Sequence, residues 1–358
     1  MSSTFYPLKV AEVRRETDEA VSVLFDVPQD LASKFKFKPG QHLTIRQNIS
    51  DKEVRRNYSV CVSPQENALR IAIKQIPQGA FSTWANTVLT AGATLDVMPP
   101  HGSFTWNFEP SAKRSYVLFA GGSGITPILS LLKTGLTEEP RSQFILLYGN
   151  RGANSIMFLE EIAGLKNRYI GNLQVYHFLE DEEGEVDLFN GRLDKEKTFS
   201  VLKSIVDPSE VDKFFICGPG PMMNAVEETL TAGNVPKNHI MVERFTTDTL
   251  SPKQLDAARD LQKQAAGKTV QVSLDGRKRS FVFDAEKGSI LENVGALGLP
   301  APYACKAGVC ATCRAKVISG KVEMKANYGL SEEEVEQGYV LTCQAVPISD
   351  DVELDYDA

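Results

Sequence analysis

Four of the six cysteines fall in two short strings: PYACKAGVCATC holds Cys305, Cys310 and Cys313, and LTCQA holds Cys343. The spacing C-x4-C-x2-C, with the fourth thiol 30 positions further on, is the plant-type pattern in which four thiolates hold the two irons of a [2Fe-2S] cluster. A tight loop containing Ala307 and Gly308 can wrap such a cluster and aim backbone N–H groups at its sulfides, stabilising the negative charge added on reduction. One ligand then comes from a distant element, as Cys343 does. A four-cysteine zinc site is the alternative, but zinc favours two short C-x2-C pairs and only one is present. Lys306 and Arg314 flank ligands, either as solvated charges or as groups that tune the potential or meet a partner. Cys61 and Cys217 stand apart, and a lone Cys on an apolar strand is ordinarily a small core thiol.

Two glycine-rich strings come earlier in the chain. GGSGITP, from Gly121 through Gly122, Ser123, Gly124 and Thr126 to Pro127, follows the apolar run Ser115 to Ala120 and opens a helix. Backbone N–H groups at such a turn can cradle a dinucleotide phosphate. It is not the G-x-G-x-x-G fingerprint, and taken alone it reads equally as a tight turn. Cys217-Gly218-Pro219 ends a later apolar strand. In the N-terminal third, Arg56-Asn57-Tyr58-Ser59 alone reads as an exposed strand face, and Gly79-Ala80-Phe81-Ser82 alone as a loop with a helix N-cap at Ser82.

These residues need elements to hold them. From about Val10 to Phe108, short runs (VSVLFDV, QHLTIRQ, RNYSVCV, ALRIAIKQI, TLDVMPP) recur between Pro and Gly signals, which predicts an antiparallel barrel or sandwich with one helix over Ser82 to Leu89. Strands are then expected at Ser115 to Ala120, Gln143 to Tyr148, Leu173 to Leu179 and Lys213 to Cys217. The helices between and after them are expected near Ile125 to Lys133, Met157 to Lys166, Leu193 to Ile205 and Met222 to Ala232. That alternation implies a parallel sheet covered on both faces. The polar stretch 246–267 reads as a linker, partly helical. Beyond it come a hairpin at Asp275-Gly276, a helix over Ser289 to Leu297, a capping box at Ser331 and Glu334, and a last strand over Asp351 to Tyr356. The expected domains are 1–110, 111–245 and 268–358, joined by the linker.

With 358 residues, 42% hydrophobic and 24% charged, the chain is an ordinary globular protein of two or three domains. A formal charge of -7 is the wrong sign for a phosphate-backbone binder, so nucleic acid is excluded as a general partner. The charge-free stretch Ser115 to Leu132 mimics a membrane span, but its glycines and Pro127 mark a strand, a turn and a helix, so no membrane partner is expected. The N-terminus lacks the apolar core of a secretory signal; a cytoplasmic location is the expectation, and there cysteines serve metals or catalysis before disulfides.

The order RNYS, GAFS, GGSGITP and CGPGPM, followed by a plant-type cluster motif, resembles the ferredoxin-NADP reductase family with a C-terminal [2Fe-2S] domain, over most of the chain. The resemblance implies a multidomain fold: an antiparallel β-barrel flavin domain, an α/β parallel-sheet nicotinamide-nucleotide domain and a C-terminal α+β (β-grasp) ferredoxin domain. It implies that Arg56 pairs with a flavin phosphate, Tyr58 packs on the isoalloxazine and Ser59 bonds near its N5, with Asn57 and Lys74 in the same site. Gly79, Ala80, Phe81 and Ser82 then meet the pyrophosphate, which makes the flavin FAD rather than FMN. Gly121, Gly122, Ser123, Gly124 and Thr126 bind the nicotinamide nucleotide, and Cys217, Gly218 and Pro219 set its nicotinamide beside the flavin. Arg151 is placed for a ribose 2′-phosphate, favouring NADPH over NADH, although an exposed loop arginine reads the same. Phe245, in VERF, takes the place where relatives hold an aromatic near the flavin.

The implied activity is electron transfer from NADPH to FAD to the cluster to a protein acceptor, a di-iron oxygenase complex. A carrier or sensor without catalysis is the competing class, and the intact motifs argue against it. Residues 268–358 hold 10 basic and 14 acidic groups, which suggests a basic docking surface on the acceptor. The run Glu332, Glu333 and Glu334 is read first as acidic residues favoured at a helix start.

Overall fold

The computed structural model describes residues 4–245 and 252–358, in two compact units, Thr4–Glu243 and Arg244–Ala358. The first unit begins with β1 (Tyr6–Thr17), β2 (Ala20–Asp26), β3 (His42–Ile49), β4 (Lys52–Ser59), β5 (Leu69–Lys74), α1 (Ala80–Thr87) and β6 (Thr94–Val97). Alternation along these strands buries Leu8, Val23, Leu43, Ile45, Ile71 and Val97 in one core. The strands form an antiparallel sheet in the order β4-β3-β6-β1-β2-β5. Its two edges meet where Val60 bridges Ile71 and the Cys61 N–H donates to the Arg70 carbonyl at 3.0 Å, closing a barrel.

The helix expected from Ser82 starts two residues earlier, and the cap falls at Gly79. The Ser82 hydroxyl is turned back, accepting from the Ile76 N–H and donating to the Gly79 carbonyl, each at 3.2 Å, so it is not available as a cap. A Cβ on Gly79 would stand 2.4 Å from that hydroxyl, so only glycine fits.

The same unit continues with β7 (Ser115–Gly121), α2 (Ile125–Glu138), β8 (Gln143–Asn150), α3 (Leu159–Arg168), β9 (Leu173–Leu179), α4 (Lys195–Ile205), β10 (Lys213–Cys217), α5 (Gly220–Ala232) and β11 (Ile240–Glu243). The charge-free stretch is thus strand β7, a turn and helix α2, and no helix among the described residues is long and apolar enough to cross a membrane. The five strands are all parallel, in the order β11-β10-β7-β8-β9. Growth from β7 runs outward to β9, then returns across the sheet to β10 and β11. The strand order therefore reverses between β7 and β10, and in such sheets ligands bind in the crevice beyond the carboxyl ends at that reversal. β11 escapes sequence reading because its run IMVE is short and only half-buried.

The second unit holds α6 (Pro252–Ala265), β12 (Thr269–Leu274), β13 (Arg277–Val282), α7 (Ile290–Ala296), β14 (Arg314–Ser319), β15 (Val322–Met324), α8 (Glu332–Glu336), β16 (Tyr339–Leu341), β17 (Ala345–Pro347) and β18 (Val352–Asp355). A mixed sheet in the order β13-β12-β18-β14-β16 packs its core against Ile290, Leu291 and Val294 of α7. Asp275 and Gly276 turn the β12–β13 hairpin with φ of 51° and 69°, the two left-handed residues a tight two-residue turn requires.

Of the stretch read as a linker, 246–251 lie outside the described residues and 252–265 form α6. Its Ala265 is buried in the second unit's core with Leu261 packed beside it. The Gln262 amide donates to the Ala285 carbonyl at 2.9 Å. This i, i+4 apolar pair seats α6 on the second unit.

Candidate functional site

Three sites emerge, two in the first unit and one in the second. The first is built by β4 and α1. Tyr58 on β4 and Phe81 on α1, 23 positions apart in sequence, bring their ring centroids to 5.5 Å, with Trp84 beyond at 5.6 Å from Phe81. RNYS and GAFS therefore form one surface. Arg56 is exposed, its guanidinium donating to the Arg55 carbonyl, and burial pushes the half-buried Tyr58 phenol up. The Ser59 hydroxyl is buried and has no hydrogen-bond partner in the protein. Such an orphan is costly unless a ligand satisfies it. The first-turn N–H groups of α1, around Ala80 and Phe81, have no intrahelical acceptors and no acidic residue beside them, an arrangement suited to an anion. These features fit a flavin dinucleotide.

The second site is the crevice at the strand-order reversal. After β7 the chain makes a single 3₁₀ turn at Gly122–Gly124, with Gly122 at φ 49°, and enters α2. Thr126 Oγ1 donates to the Ser123 carbonyl and Tyr148 to that of Gly122, each at 3.0 Å, fixing the turn. After β10 the chain runs through Gly218 to Pro219, the cap of α5. The two turns touch backbone to backbone: a Cβ on Gly218 would lie 3.0 Å from the Gly121 Cα, and one on Gly121 would lie 2.5 Å from the Pro219 Cδ. Gly121, Gly124, Gly218 and Pro219, from strings nearly a hundred residues apart, are thus one floor.

Cys217 is fully buried, and burial together with the charge of Glu243 pushes its thiol well up, so it is a neutral surface rather than a nucleophile. The Lys74 ammonium reaches the turn, 3.7 Å from where a Gly122 Cβ would be. Burial and nearby Arg151 lower its pKa, partly offset by Glu19. Arg151 is exposed and ion-paired with Glu19, in a cavity also lined by Asp18, Asn154, Asp181 and Glu182. Cys61 is a core thiol that donates to the Arg70 carbonyl.

The third site is the cysteine loop. Cys310, Cys313 and Cys343 are buried and Cys305 is half-buried. The thiols meet in two pairs, Cys305 with Cys310 and Cys313 with Cys343. Accepting the partner's hydrogen bond holds Cys310 and Cys343 below the ordinary thiol value. Among the described residues no three His, Cys, Asp or Glu side chains close on one metal position. Two thiol pairs fit two irons rather than one zinc. Lys306, Gly308 and Ala311 all take left-handed backbone at φ 55°, 74° and 52°, and such alternation turns N–H groups inward. The Ala307 N–H already donates to Cys305 Sγ at 3.3 Å.

Residues that spacing did not reveal hold this loop. Gln344 donates to the Lys306 carbonyl at 2.9 Å, and Thr342 Oγ1 to the Cys313 carbonyl at 2.9 Å. Gly329 lies so close that a Cβ would stand 2.9 Å from the Val309 carbonyl. Thr312 places its hydroxyl 3.2 Å from Cys310 Sγ. Arg314 pairs with Glu334, which also closes the capping box of α8, so that member of the acidic run serves the fold. Phe245, half-buried, belongs to this second unit.

Family models match each part: an oxidoreductase FAD-binding domain over residues 7–106, an oxidoreductase NAD-binding domain over 118–228 and a 2Fe-2S iron-sulfur cluster binding domain over 272–347. Fold and sites together define an oxidoreductase that binds FAD, a nicotinamide nucleotide and a [2Fe-2S] cluster. The chain belongs to the ferredoxin-NADP reductase family with a C-terminal [2Fe-2S] domain. It is 43% identical, over 99% of both chains, to a component of 1,2-phenylacetyl-CoA epoxidase from Escherichia coli (strain K12). It is 34% identical, over 98% of this chain and 96% of the relative, to the ferredoxin reductase component of 3-ketosteroid-9-alpha-monooxygenase from Rhodococcus rhodochrous. A solved structure of phthalate dioxygenase reductase shares the fold, with a TM-score of 0.60, 24% identity and 98% of each chain covered.

Proposed function

We propose that this chain is the reductase component of an oxygenase that epoxidises the ring of phenylacetyl-CoA, delivering electrons from NADPH through FAD and a [2Fe-2S] cluster to a di-iron oxygenase complex. The observation that carries it is the end-to-end likeness to the Escherichia coli epoxidase component. Bound together, the three groups supply a two-electron donor, a flavin able to divide the pair and a one-electron carrier. The chain's residues position them. Tyr58 and Phe81 offer the apolar wall, Ser59 the unpaired hydroxyl, and α1 the N–H groups for the pyrophosphate, with Arg56 as its cation. Gly121, Gly122, Gly124 and Gly218 let the nucleotide approach backbone, and the neutral Cys217 thiol packs beside the nicotinamide without adding charge. Cys305, Cys310, Cys313 and Cys343 would hold the cluster, one thiol pair to each iron.

A reductase for a different oxygenase is the second reading, favoured by the equally full-length likeness to the ketosteroid monooxygenase component. Reconstitution with each purified oxygenase separates them: phenylacetyl-CoA-dependent NADPH oxidation and oxygen uptake are expected with the epoxidase, and turnover only with another oxygenase would overturn the proposal. NADPH preference rests on Arg151, which Glu19 now occupies; the ion pair must open for a 2′-phosphate. Glu19→Gln should then raise the NADPH to NADH ratio of kcat/KM. An Arg151→Ala ratio equal to the wild-type value would remove the basis for NADPH.

A further inference from the structure

Three strands of the second unit end at the cysteine site. β14 starts one residue after Cys313, β16 stops two residues before Cys343, and β18 stops one residue before Tyr356. β14 runs antiparallel to both of the others, pairing Arg314 with Leu341 and Lys316 with Asp355, so these three ends lie at the same edge of the sheet. Tyr356 then stands level with Ala315, two residues beyond Cys313. Alternation along β18 buries Val352 and Leu354 and turns Tyr356 to the same core face.

The Tyr356 N–H donates to the Ser273 carbonyl at 3.0 Å, which fixes the residue in place. Its hydroxyl is sealed from water and makes no hydrogen bond of ordinary geometry, although the Thr342 hydroxyl lies beside it. Thr342 is already committed: its N–H and its Oγ1 both donate to the Cys313 carbonyl, at 3.1 and 2.9 Å. The Thr342 oxygen keeps lone pairs but has no hydrogen left to give, so between the two hydroxyls Tyr356 is the donor. Burial, opposed by Thr342 and reinforced by Cys313 and Cys343, pushes the phenol up, and it stays a neutral O–H. Phenylalanine would fill the same space without burying an unspent hydrogen, so packing does not account for the hydroxyl.

The charge of the group that these cysteines hold does account for it. A [2Fe-2S] cluster on four thiolates is anionic, and the electron it accepts adds to that charge. A dipole whose positive end faces the thiolates therefore favours the reduced state over the oxidised one, and more strongly in a dry interior than in water. We propose that Tyr356 is a positioning residue that sets the cluster's potential: its O–H, directed past Thr342 Oγ1 toward Cys313 and Cys343, stabilises the added electron and raises the reduction potential. Thr312 lies at Cys310, in the other thiol pair, so the two hydroxyls serve different pairs. The inference rests on the reading of Cys313 and Cys343 as ligands of the cluster.

The test is an EPR-monitored redox titration of the holoprotein, wild type against Tyr356→Phe, with iron and sulfide content measured alongside. The variant should keep its cluster and lose three- to fivefold in the one-electron equilibrium, a potential lower by about 30 to 40 mV at about 59 mV per tenfold. A packing role alone leaves the potential where it is, so a change of less than twofold, or a higher potential, overturns the proposal. Should Tyr356→Phe lose its cluster, 3-fluorotyrosine placed at position 356 makes the same measurement. Its more polarised O–H should raise the potential, and an unchanged or lower value overturns the proposal. Failure of the underlying reading looks different: wild-type protein would then give no [2Fe-2S] signal, or Cys313→Ser and Cys343→Ser would leave that signal unaltered.

Discussion

Gly124 lies against Cys217 so closely that a Cβ on the glycine would stand 2.2 Å from the cysteine's carbonyl oxygen. This contact joins the turn after β7 to the turn after β10, and with it the two halves of the nucleotide crevice. Its absence of a side chain, rather than any backbone conformation peculiar to glycine, is what the position needs, since Gly124 has ordinary helical angles.

Gly124→Ala therefore tests the crevice. The methyl has no flexible neighbour to push aside, because what it meets is backbone. Overpacking of this kind costs about 1–3 kcal/mol. We expect a lower melting temperature and a raised KM for the nicotinamide nucleotide, with flavin content unchanged. Calorimetry and steady-state kinetics check it, and an unchanged KM would show that the two turns do not form one binding floor.

Cys310→Ser should abolish the cluster and electron delivery to a one-electron protein acceptor while sparing reduction of the flavin by nucleotide. Thr312→Val is the milder change. It removes a hydroxyl that accepts from the Cys310 thiol at 3.2 Å and that would donate to the sulfur once it is a cluster thiolate, stabilising the more negative reduced state. The cluster's potential should fall by up to about 60 mV, a tenfold shift in a one-electron equilibrium. An EPR-monitored redox titration reads it directly, and a rise in potential would contradict the assignment.

The flavin and nucleotide motifs were legible because each is local: a few residues at fixed spacing at the end of one strand. What sequence could not supply is the closure between them. That Tyr58 meets Phe81, or that Gly218 meets Gly121, follows from barrel closure and from the strand order around β10. The cap at Gly79 was hidden because Ser82, the better capping residue by type, is turned inward by its bonds to Ile76 and Gly79. That the helical part of the linker seats on the second unit was hidden because only Leu261 and Ala265 of its described side chains reach the core. Gly329 and Gln344 hold the cysteine loop from elements whose own strings carry no cluster signature.

Acid should destabilise the first unit. His42 and His177 are both held below their ordinary value of 6.5 by burial, helped by His101 in one case and Lys166 in the other. The unfolded chain thus binds more protons than the folded one between those lowered values and 6.5. Stability is complete above this window and is lost as pH falls through it. The melting temperature should drop from about pH 7.5 to about pH 5.5, and His42→Gln should drop less over the same range. An equal drop in the variant would mean that His42 is already protonated in the folded state.

The claim on which the rest depends is that electrons from the nucleotide pass through a flavin to the cysteine-held cluster of the same chain. Anaerobic titration of the purified protein with NADPH, followed by visible absorbance and low-temperature EPR, tests it most directly. Bleaching of the flavin accompanied by the signal of a reduced [2Fe-2S] cluster is the expected result. Bleaching without that signal would confine the activity to the flavin and contradict the electron path.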